Sequence, residues 1–78
     1  MTLSELPVFA SATVVDVRDI AEDDAIGRRL RELGFVRGEP VQIVGRGFFG
    51  GDPLLIQIGF TRFALRRSEA ARVTVERA

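Results

Sequence analysis

Short runs that alternate hydrophobic and polar positions recur along this chain and predict strands. Five runs have this character: residues 13–18, 41–44, 54–58, 62–66 and 72–76. Most of them are rich in β-branched residues, which favour a pleated surface with one buried face. Val41 and Ile43 share a face of the second run, and Phe63 and Leu65 share a face of the fourth. We therefore expect these side chains to point into a common core.

A helical repeat occupies the interval between the first two predicted strands. Ile26, Leu30 and Leu33 recur at positions i, i+4 and i+7, which places them on one stripe of a short helix. Gly34 follows the last apolar position and is expected to end the helix, because glycine adopts the left-handed conformation without a steric penalty. Gly27 lies inside the helix, either because a neighbouring strand approaches its backbone closely or because the position simply tolerates glycine.

The chain has one cluster of acidic residues, which comprises Asp19, Glu22, Asp23 and Asp24. Asp19 and Glu22 have the spacing of a capping box, while Asp23 or Asp24 is the alternative N-cap, so the first residue of the helix stays open. The favoured interpretation is capping, together with a favourable interaction with the helix dipole. The same oxygen ligands would hold a hard divalent cation only weakly and would discriminate poorly for iron.

A glycine-rich segment separates the second and third predicted strands: Gly45, Gly47, Gly50 and Gly51 surround Phe48 and Phe49 and precede Asp52–Pro53. This composition predicts a flexible loop or the tip of a bulged hairpin. Two adjacent aromatic side chains cannot easily both point inward from one short turn, so at least one is expected to be exposed. Either the aromatic pair contacts a partner, or the loop folds back and plugs an open end of the fold.

Partner-binding residues are predicted at two places. The preferred set is Arg46, Phe48 and Phe49, because aromatic anchors beside arginine are typical of interface hot spots. The second set is the basic face of the helix, formed by Arg28, Arg29 and Arg31.

The predicted elements fit a single domain that spans residues 1–78. A tight turn at residues 59–61 joins the third and fourth strands into a hairpin, and Ser68 is placed to cap a single helical turn before the last strand. The chain is too short for two separate sheets. The favoured fold is therefore mainly β: a partly closed barrel of five antiparallel strands with one short α-helix between the first two strands.

The residue types that are absent narrow the possible functions. The chain contains no cysteine and no histidine, and all eleven basic residues are arginine. A disulfide framework and a thiolate or imidazole metal site are therefore excluded, and the histidine, cysteine and lysine groups that commonly act in catalysis are absent. We expect neither an enzyme nor a cofactor. No apolar run approaches the roughly 20 residues that span a bilayer, so a cytoplasmic protein without direct membrane insertion is predicted.

The net charge of the chain is relevant to nucleic-acid binding. The formal net charge is zero, which provides no long-range attraction to a polyanion. Arg62, Arg66 and Arg67 nevertheless lie close in sequence to Phe60 and Phe63, and arginines with aromatics can form a stacking platform for bases. Solvated strand ends are the favoured interpretation of this cluster, and no nucleic-acid partner is predicted.

Four segments resemble the FeoA family of ferrous iron transport accessory proteins: residues 3–6 (LSEL), 28–35 (RRLRELGF), 51–53 (GDP) and 64–70 (ALRRSEA). Each is weak alone, but their order and spacing fit the family over essentially the whole chain. The resemblance implies an SH3-like barrel, which agrees with the fold predicted from the pattern. It also implies a partner, the cytosolic domain of a FeoB-type membrane transporter, which the chain would modulate without carrying iron itself.

Two other functions remain open. One is the regulatory SH3-like module of a metal-dependent repressor, although no helix-turn-helix segment accompanies the predicted barrel. The other is a small-barrel nucleic-acid-binding protein. The sequence departs from the family pattern at residues 7–10, at Phe48–Phe49 and at residues 60–61, so the resemblance leaves open whether the partner surface is the same.

Overall fold

Five strands and two short α-helices make up the structure, a computed structural model that describes all 78 residues. In chain order, a 3-10 helix (Leu3–Glu5) is followed by β1 (Ala12–Val17), α1 (Ala25–Glu32), β2 (Pro40–Gly47), β3 (Gly51–Ile58), β4 (Thr61–Leu65), α2 (Arg67–Ala70) and β5 (Val73–Arg77). The predicted mainly β architecture, with a helix between the first two strands, is confirmed.

The strands form one antiparallel sheet in the order β4-β3-β2-β1-β5. β1 pairs with β5 from Ala12–Arg77 to Val17–Val73, so the last strand returns to the first. β1 pairs with β2 only at its start, and the chain before β1 continues along β2, where the Phe9 N–H donates to the Ile43 carbonyl at 2.8 Å. The sheet curls around a single core as a consequence.

The core consists of sixteen buried hydrophobic residues contributed by every element: Leu3, Leu6, Ala12, Val14, Val17, Leu30, Phe35, Val41, Ile43, Leu54, Ile56, Ile58, Leu65, Ala70, Val73 and Val75. No polar or charged residue is buried among them. Val41 and Ile43 point inward together, and Phe63 packs against the core beside Leu65, as the alternation predicts.

The N-terminal 3-10 helix has no counterpart among the predicted elements. Only two residues of this segment, Leu3 and Leu6, turn inward, which is too few to form a periodic pattern. Both are nevertheless fully buried. The Glu5 carboxylate accepts from the Thr2 N–H and from the Thr2 hydroxyl, both at 2.9 Å. Thr2 also forms a bridge to Thr74, which covers the outer edge of β5.

Asp24 is the N-cap of α1, which settles the alternatives that the acidic cluster left open. Its carboxylate accepts from the Ile26 and Gly27 N–H groups at 3.1 and 3.2 Å. Gly34 follows the helix with a φ of +113°, the left-handed conformation expected of it. Leu30 is buried, but Ile26 is 41% exposed. The prediction of a fully inward apolar stripe is therefore wrong at its first position.

Gly27 has a close neighbour, although not the one that the sequence suggests. A Cβ at this position would collide with the Asp19 carboxylate, which lies outside the strands. Asp19 is held there by Arg31, whose guanidinium donates to it at 3.1 Å. The missing Cβ thus admits the side chain of the acidic segment rather than another backbone.

The later elements settle one alternative and correct one prediction. β2 and β3 continue into the glycine-rich segment as far as Gly47 and Gly51, so of the two predicted alternatives, a flexible loop and a bulged hairpin tip, the hairpin is confirmed. α2 is the expected single helical turn, but its N-cap is Arg66 and not Ser68. The Arg66 side chain makes no capping hydrogen bond. Instead, the Glu69 carboxylate accepts from the Arg66 backbone N–H at 2.9 Å, which satisfies a donor at the start of the helix.

Candidate docking surface

The tip of the β2–β3 hairpin carries two exposed aromatic side chains. Phe48 is 102% exposed and Phe49 is 86% exposed. The Asp52 N–H donates to the Phe49 carbonyl at 3.1 Å, which closes the turn, and Gly50 and Gly51 both take positive φ values within it. The interpretation that the loop folds back to plug the barrel is therefore wrong for both side chains.

Contacts from across the fold hold this tip in place. The Arg67 N–H donates to the Asp52 carboxylate at 2.9 Å, and the Arg67 guanidinium donates to the Gly50 carbonyl at 3.1 Å. Gly47 lies against the backbone of Asp52, where a Cβ would collide with the Asp52 carbonyl. The GDP and ALRR segments, distant in sequence, thus fix the aromatic pair on an ordered support.

Arg46 precedes the tip on β2 and is exposed. Its guanidinium donates to the Leu6 carbonyl at 3.4 Å, so the side chain leans toward the N-terminal segment. The Arg46 side chain nevertheless stays close to the aromatic tip, because it lines one hollow together with Pro53 and Leu55.

Each of the three helix arginines pairs with a different acidic residue. Arg28 pairs with Asp23 at 2.6 Å, and Arg31 pairs with Asp19 and donates to the Val17 carbonyl. These two arginines tie down the acidic segment before α1. Arg29 instead reaches Glu69 of α2 at 3.6 Å.

Pro53 connects three adjacent shallow hollows on the outer face of β2, β3 and β4. We call the area around it the Pro53 surface; its apolar members are Ile26, Phe49, Pro53, Leu55 and Ala64, and its basic members are Arg29, Arg46 and Arg66. Arg46, Phe49 and Arg29 belong to the predicted sets, and Arg66 was named only in the base-stacking cluster, whereas Ile26, Pro53, Leu55 and Ala64 were missed. The sequence contains little sign of these apolar surface residues, because an outward apolar residue in a strand is hard to tell from ordinary alternation.

The cluster proposed as a base-stacking platform is dispersed. Phe60 is fully exposed at the β3–β4 turn, but Phe63 packs against the core. The Arg62 guanidinium donates to Gln57, and Arg67 is engaged with the hairpin tip. These side chains therefore do not form one exposed aromatic and basic face.

Carboxylates do not converge in this structure, and no group of three or more histidine, cysteine, aspartate or glutamate residues is placed to hold a metal ion. Asp19, Asp23 and Asp24 each have an arginine partner. The pKa of Glu5 is lowered, chiefly because the Thr2 backbone N–H and then the Thr2 hydroxyl donate to the ionised carboxylate. The helices are too short to cross a bilayer.

Comparison with known proteins agrees with this geometry. The FeoA domain model matches residues 1–77. The structure is similar to that of Stenotrophomonas maltophilia FeoA complexed with zinc, with 64% identity, a TM-score of 0.89 and coverage of 97% of this chain and 89% of that chain. It is also similar to Chlorobium tepidum FeoA, with 36% identity, a TM-score of 0.83 and coverage of 99% and 70%.

A more distant likeness concerns the fold alone. The manganese regulator SloR matches all of this chain over 34% of its own length, with a TM-score of 0.74 and 13% identity. A search of curated proteins found no match.

The fold and the comparisons together define a small SH3-like barrel of the class that accompanies ferrous iron transport. The chain belongs to the FeoA family. The S. maltophilia relative is described as a prokaryotic SH3 domain protein suggested as a ferrous iron transport activating factor.

Proposed function

We propose that this chain is a cytoplasmic, non-enzymatic accessory protein that docks on the cytosolic domain of a FeoB-type ferrous iron transporter and modulates it. The observation that carries the proposal is the fully exposed Phe48–Phe49 pair at an ordered hairpin tip. The descriptions of one relative as an iron(II) transport protein and of another as a suggested ferrous iron transport activating factor support a role in this transport.

The aromatic tip has the properties of a docking anchor. A phenylalanine buries on the order of 150–250 Å² when a partner covers it, and such anchors dominate interface energies. Arg67 holds the tip through the Gly50 carbonyl and the Asp52 carboxylate, so little ordering entropy remains to be lost on binding. Arg46 lies beside the tip and supplies a cation for a carboxylate at the rim of the interface.

The proposed action is a shift of the transporter between conformations. A docked barrel changes such an equilibrium only if it contacts one state better than another. The exposed aromatic pair provides the contact area for this difference, and Arg29 and Arg66 extend the same surface toward α1.

The proposal is tested by titrating the purified chain against the cytosolic domain of a FeoB-type transporter in a calorimeter. The double variant Phe48→Ser/Phe49→Ser should bind at least tenfold more weakly, a loss of about 1.4 kcal/mol or more. Its fold should be intact, because neither side chain packs on the core. Absence of binding by the unchanged chain at high micromolar concentration would contradict the proposal.

Phe60→Ser is the matched control. Phe60 is as exposed as Phe48 but lies at the opposite end of β3, roughly 25 Å away at about 3.3 Å per residue. The control should bind like the unchanged chain. Equal losses in both variants would show that general hydrophobicity, and not the tip, drives the association.

A further inference from the structure

One edge of the sheet is left open. β4 is the first strand in the sheet order and pairs with β3 alone. The other outer strand, β5, is covered by the N-terminus, because Thr2 bridges Thr74 and the Val75 N–H donates to the Met1 carbonyl at 2.9 Å. The chain therefore covers the β5 edge of the sheet and leaves the β4 edge open.

The register identifies the backbone groups that the open edge presents. Ile58 pairs with Thr61 across a two-residue turn, and the pairing continues without a bulge to Leu54 and Leu65. Residues 61, 63 and 65 consequently direct their N–H and C=O groups to β3, and Arg62 and Ala64 direct theirs outward. No backbone hydrogen bond from elsewhere in the chain reaches Arg62 or Ala64.

A shallow groove covers the outer face of β3 and β4 beside this edge and reaches the start of α1. Its volume is about 500 Å³, and it is lined by Ile26, Arg29, Pro53, Ala64, Arg66 and Glu69. Ile26 is the apolar residue of the helix stripe that fails to reach the core. Its exposure beside Ala64 gives the groove an apolar wall next to unpaired backbone groups, the combination by which an extended peptide is bound as an added strand.

The groove and the strand edge are basic. Arg29, Arg62 and Arg66 lie in or beside them, and Glu69 is the one acidic residue among them. Glu69 pairs with Arg29 at 3.6 Å, so these two charges compensate each other. Arg62 and Arg66 carry the remaining positive charge. An occupant with carboxylates at alternate positions would therefore complement the surface, whereas a basic one would be repelled.

We propose that the β4 edge binds an extended, acidic segment of a partner protein, which adds as a sixth strand and hydrogen-bonds to the backbone of Arg62 and Ala64. A second copy of this chain is a poorer occupant. Antiparallel pairing of β4 with itself centred on Arg62 or on Ala64 places Arg62 opposite Arg62 or Arg66 of the other copy, and like charges directly opposite destabilise a strand pair. The register centred on Phe63, which sets Arg62 opposite Ala64, avoids this repulsion, and sedimentation experiments detect such a dimer.

The test is an NMR titration of the full chain with a capped seven-residue peptide of alternating glutamate and valine. Saturable shifts are expected at the amides of Arg62 and Ala64, together with slower hydrogen exchange at both. The lysine and valine analogue should bind at least tenfold more weakly. So should the acidic peptide N-methylated at alternate amides on the edge that would face β4, because it cannot complete the ladder.

Ala64→Pro should abolish binding. It removes the outward N–H without breaking a β3–β4 hydrogen bond, and proline is tolerated at such edge positions. Ala64→Ser keeps the N–H and is the matched control. Should Ala64→Pro fail to fold, Arg62→Glu/Arg66→Glu replaces it and should reverse the preference from the acidic to the lysine peptide.

Three outcomes would overturn the proposal: no saturable shift at Arg62 and Ala64, equal binding of the N-methylated peptide, or a dimer in sedimentation experiments that Ala64→Pro dissolves. This assay contains no transporter, so its failure leaves the role of the aromatic tip untouched. Conversely, Phe48→Ser/Phe49→Ser should bind the acidic peptide like the unchanged chain.

Discussion

Asp24 and Arg72 form an ion pair that joins the start of α1 to the residue before β5. Their side chains are only 7% and 11% exposed. The same Asp24 carboxylate caps α1 and accepts from the Ile20 N–H at 3.0 Å. A single carboxylate therefore connects the acidic segment, the helix and the C-terminal strand, which are far apart in sequence.

Loss of this charge should be costly although the cap is kept. Asp24→Asn retains an oxygen for the α1 N–H groups but leaves the guanidinium of Arg72 without its counter-ion, so we expect the free energy of unfolding to fall by about 1–3 kcal/mol. That is a large part of the roughly 4–12 kcal/mol of a domain this size. Chemical denaturation measures it.

The matched control is Asp23→Asn, the neighbouring carboxylate, which pairs with Arg28 in an exposed position. It should change the unfolding free energy by less than about 0.5 kcal/mol. Similar effects of the two substitutions would mean that the Asp24–Arg72 pair contributes no more than a surface pair.

The close approach of Gly47 to Asp52 predicts a steric limit at the hairpin. A Cβ at position 47 would also lie 2.8 Å from the Pro53 Cδ, and the obstructing atoms include backbone that cannot rotate away. Gly47→Ala should therefore destabilise by about 1–3 kcal/mol. Gly45→Ala, two residues earlier on β2, meets only Leu55 at 3.6 Å and should stay within about 0.5 kcal/mol. Thermal and chemical denaturation of both variants checks the contrast.

Phe35 and Phe60 provide a second contrast between identical residue types. Phe35 is the largest fully buried side chain, whereas Phe60 is 107% exposed. Phe35→Ala should lower the free energy of unfolding by about 3–5 kcal/mol. Phe60→Ala should change the unfolding free energy by less than about 0.5 kcal/mol. Far-UV circular dichroism through a urea titration distinguishes them, and a cooperative, unshifted transition in Phe35→Ala would contradict the assigned core.

Glu5 predicts a contribution to stability that depends on pH. Its pKa is below its ordinary value of 4.5 because Thr2 donates to the charged form. Since the folded state binds this proton less readily than the unfolded state, the contribution is complete above about pH 4.5 and is lost as the pH falls through the folded pKa. Glu5→Gln should therefore lower stability at pH 6 more than at pH 3. A constant difference between the two proteins over that range would contradict the assignment.

Most of the fold could be predicted from local patterns. Alternation placed Val41, Ile43 and Leu65 on the inner face, and the apolar spacing with Gly34 located the helix and its end. These predictions succeeded because backbone geometry converts a sequence period directly into one face of an element. The aromatic tip was accessible for a similar reason, because adjacent residues in one turn cannot both reach a core.

The groove beside β4 could not be predicted in this way. Ile26 carries the same signal as Leu30, yet it faces α2 and β4 across a groove instead of the core. Likewise, Leu3 is fully buried without any periodic pattern around it. Which segments arrive next to a residue depends on contacts between distant parts of the chain, and a local period contains no information about them.

Local order thus sufficed for the strands, the helix and the exposed phenylalanines, since each follows from the stereochemistry of neighbouring residues. Long-range packing was needed to choose Asp24 over Asp19 and Asp23 as the cap through its pairing with Arg72. It was needed equally to leave the edge of β4 open while the N-terminus covers β5. Both outcomes depend on where the two ends of the chain contact the sheet, and these contacts exist only in the folded barrel.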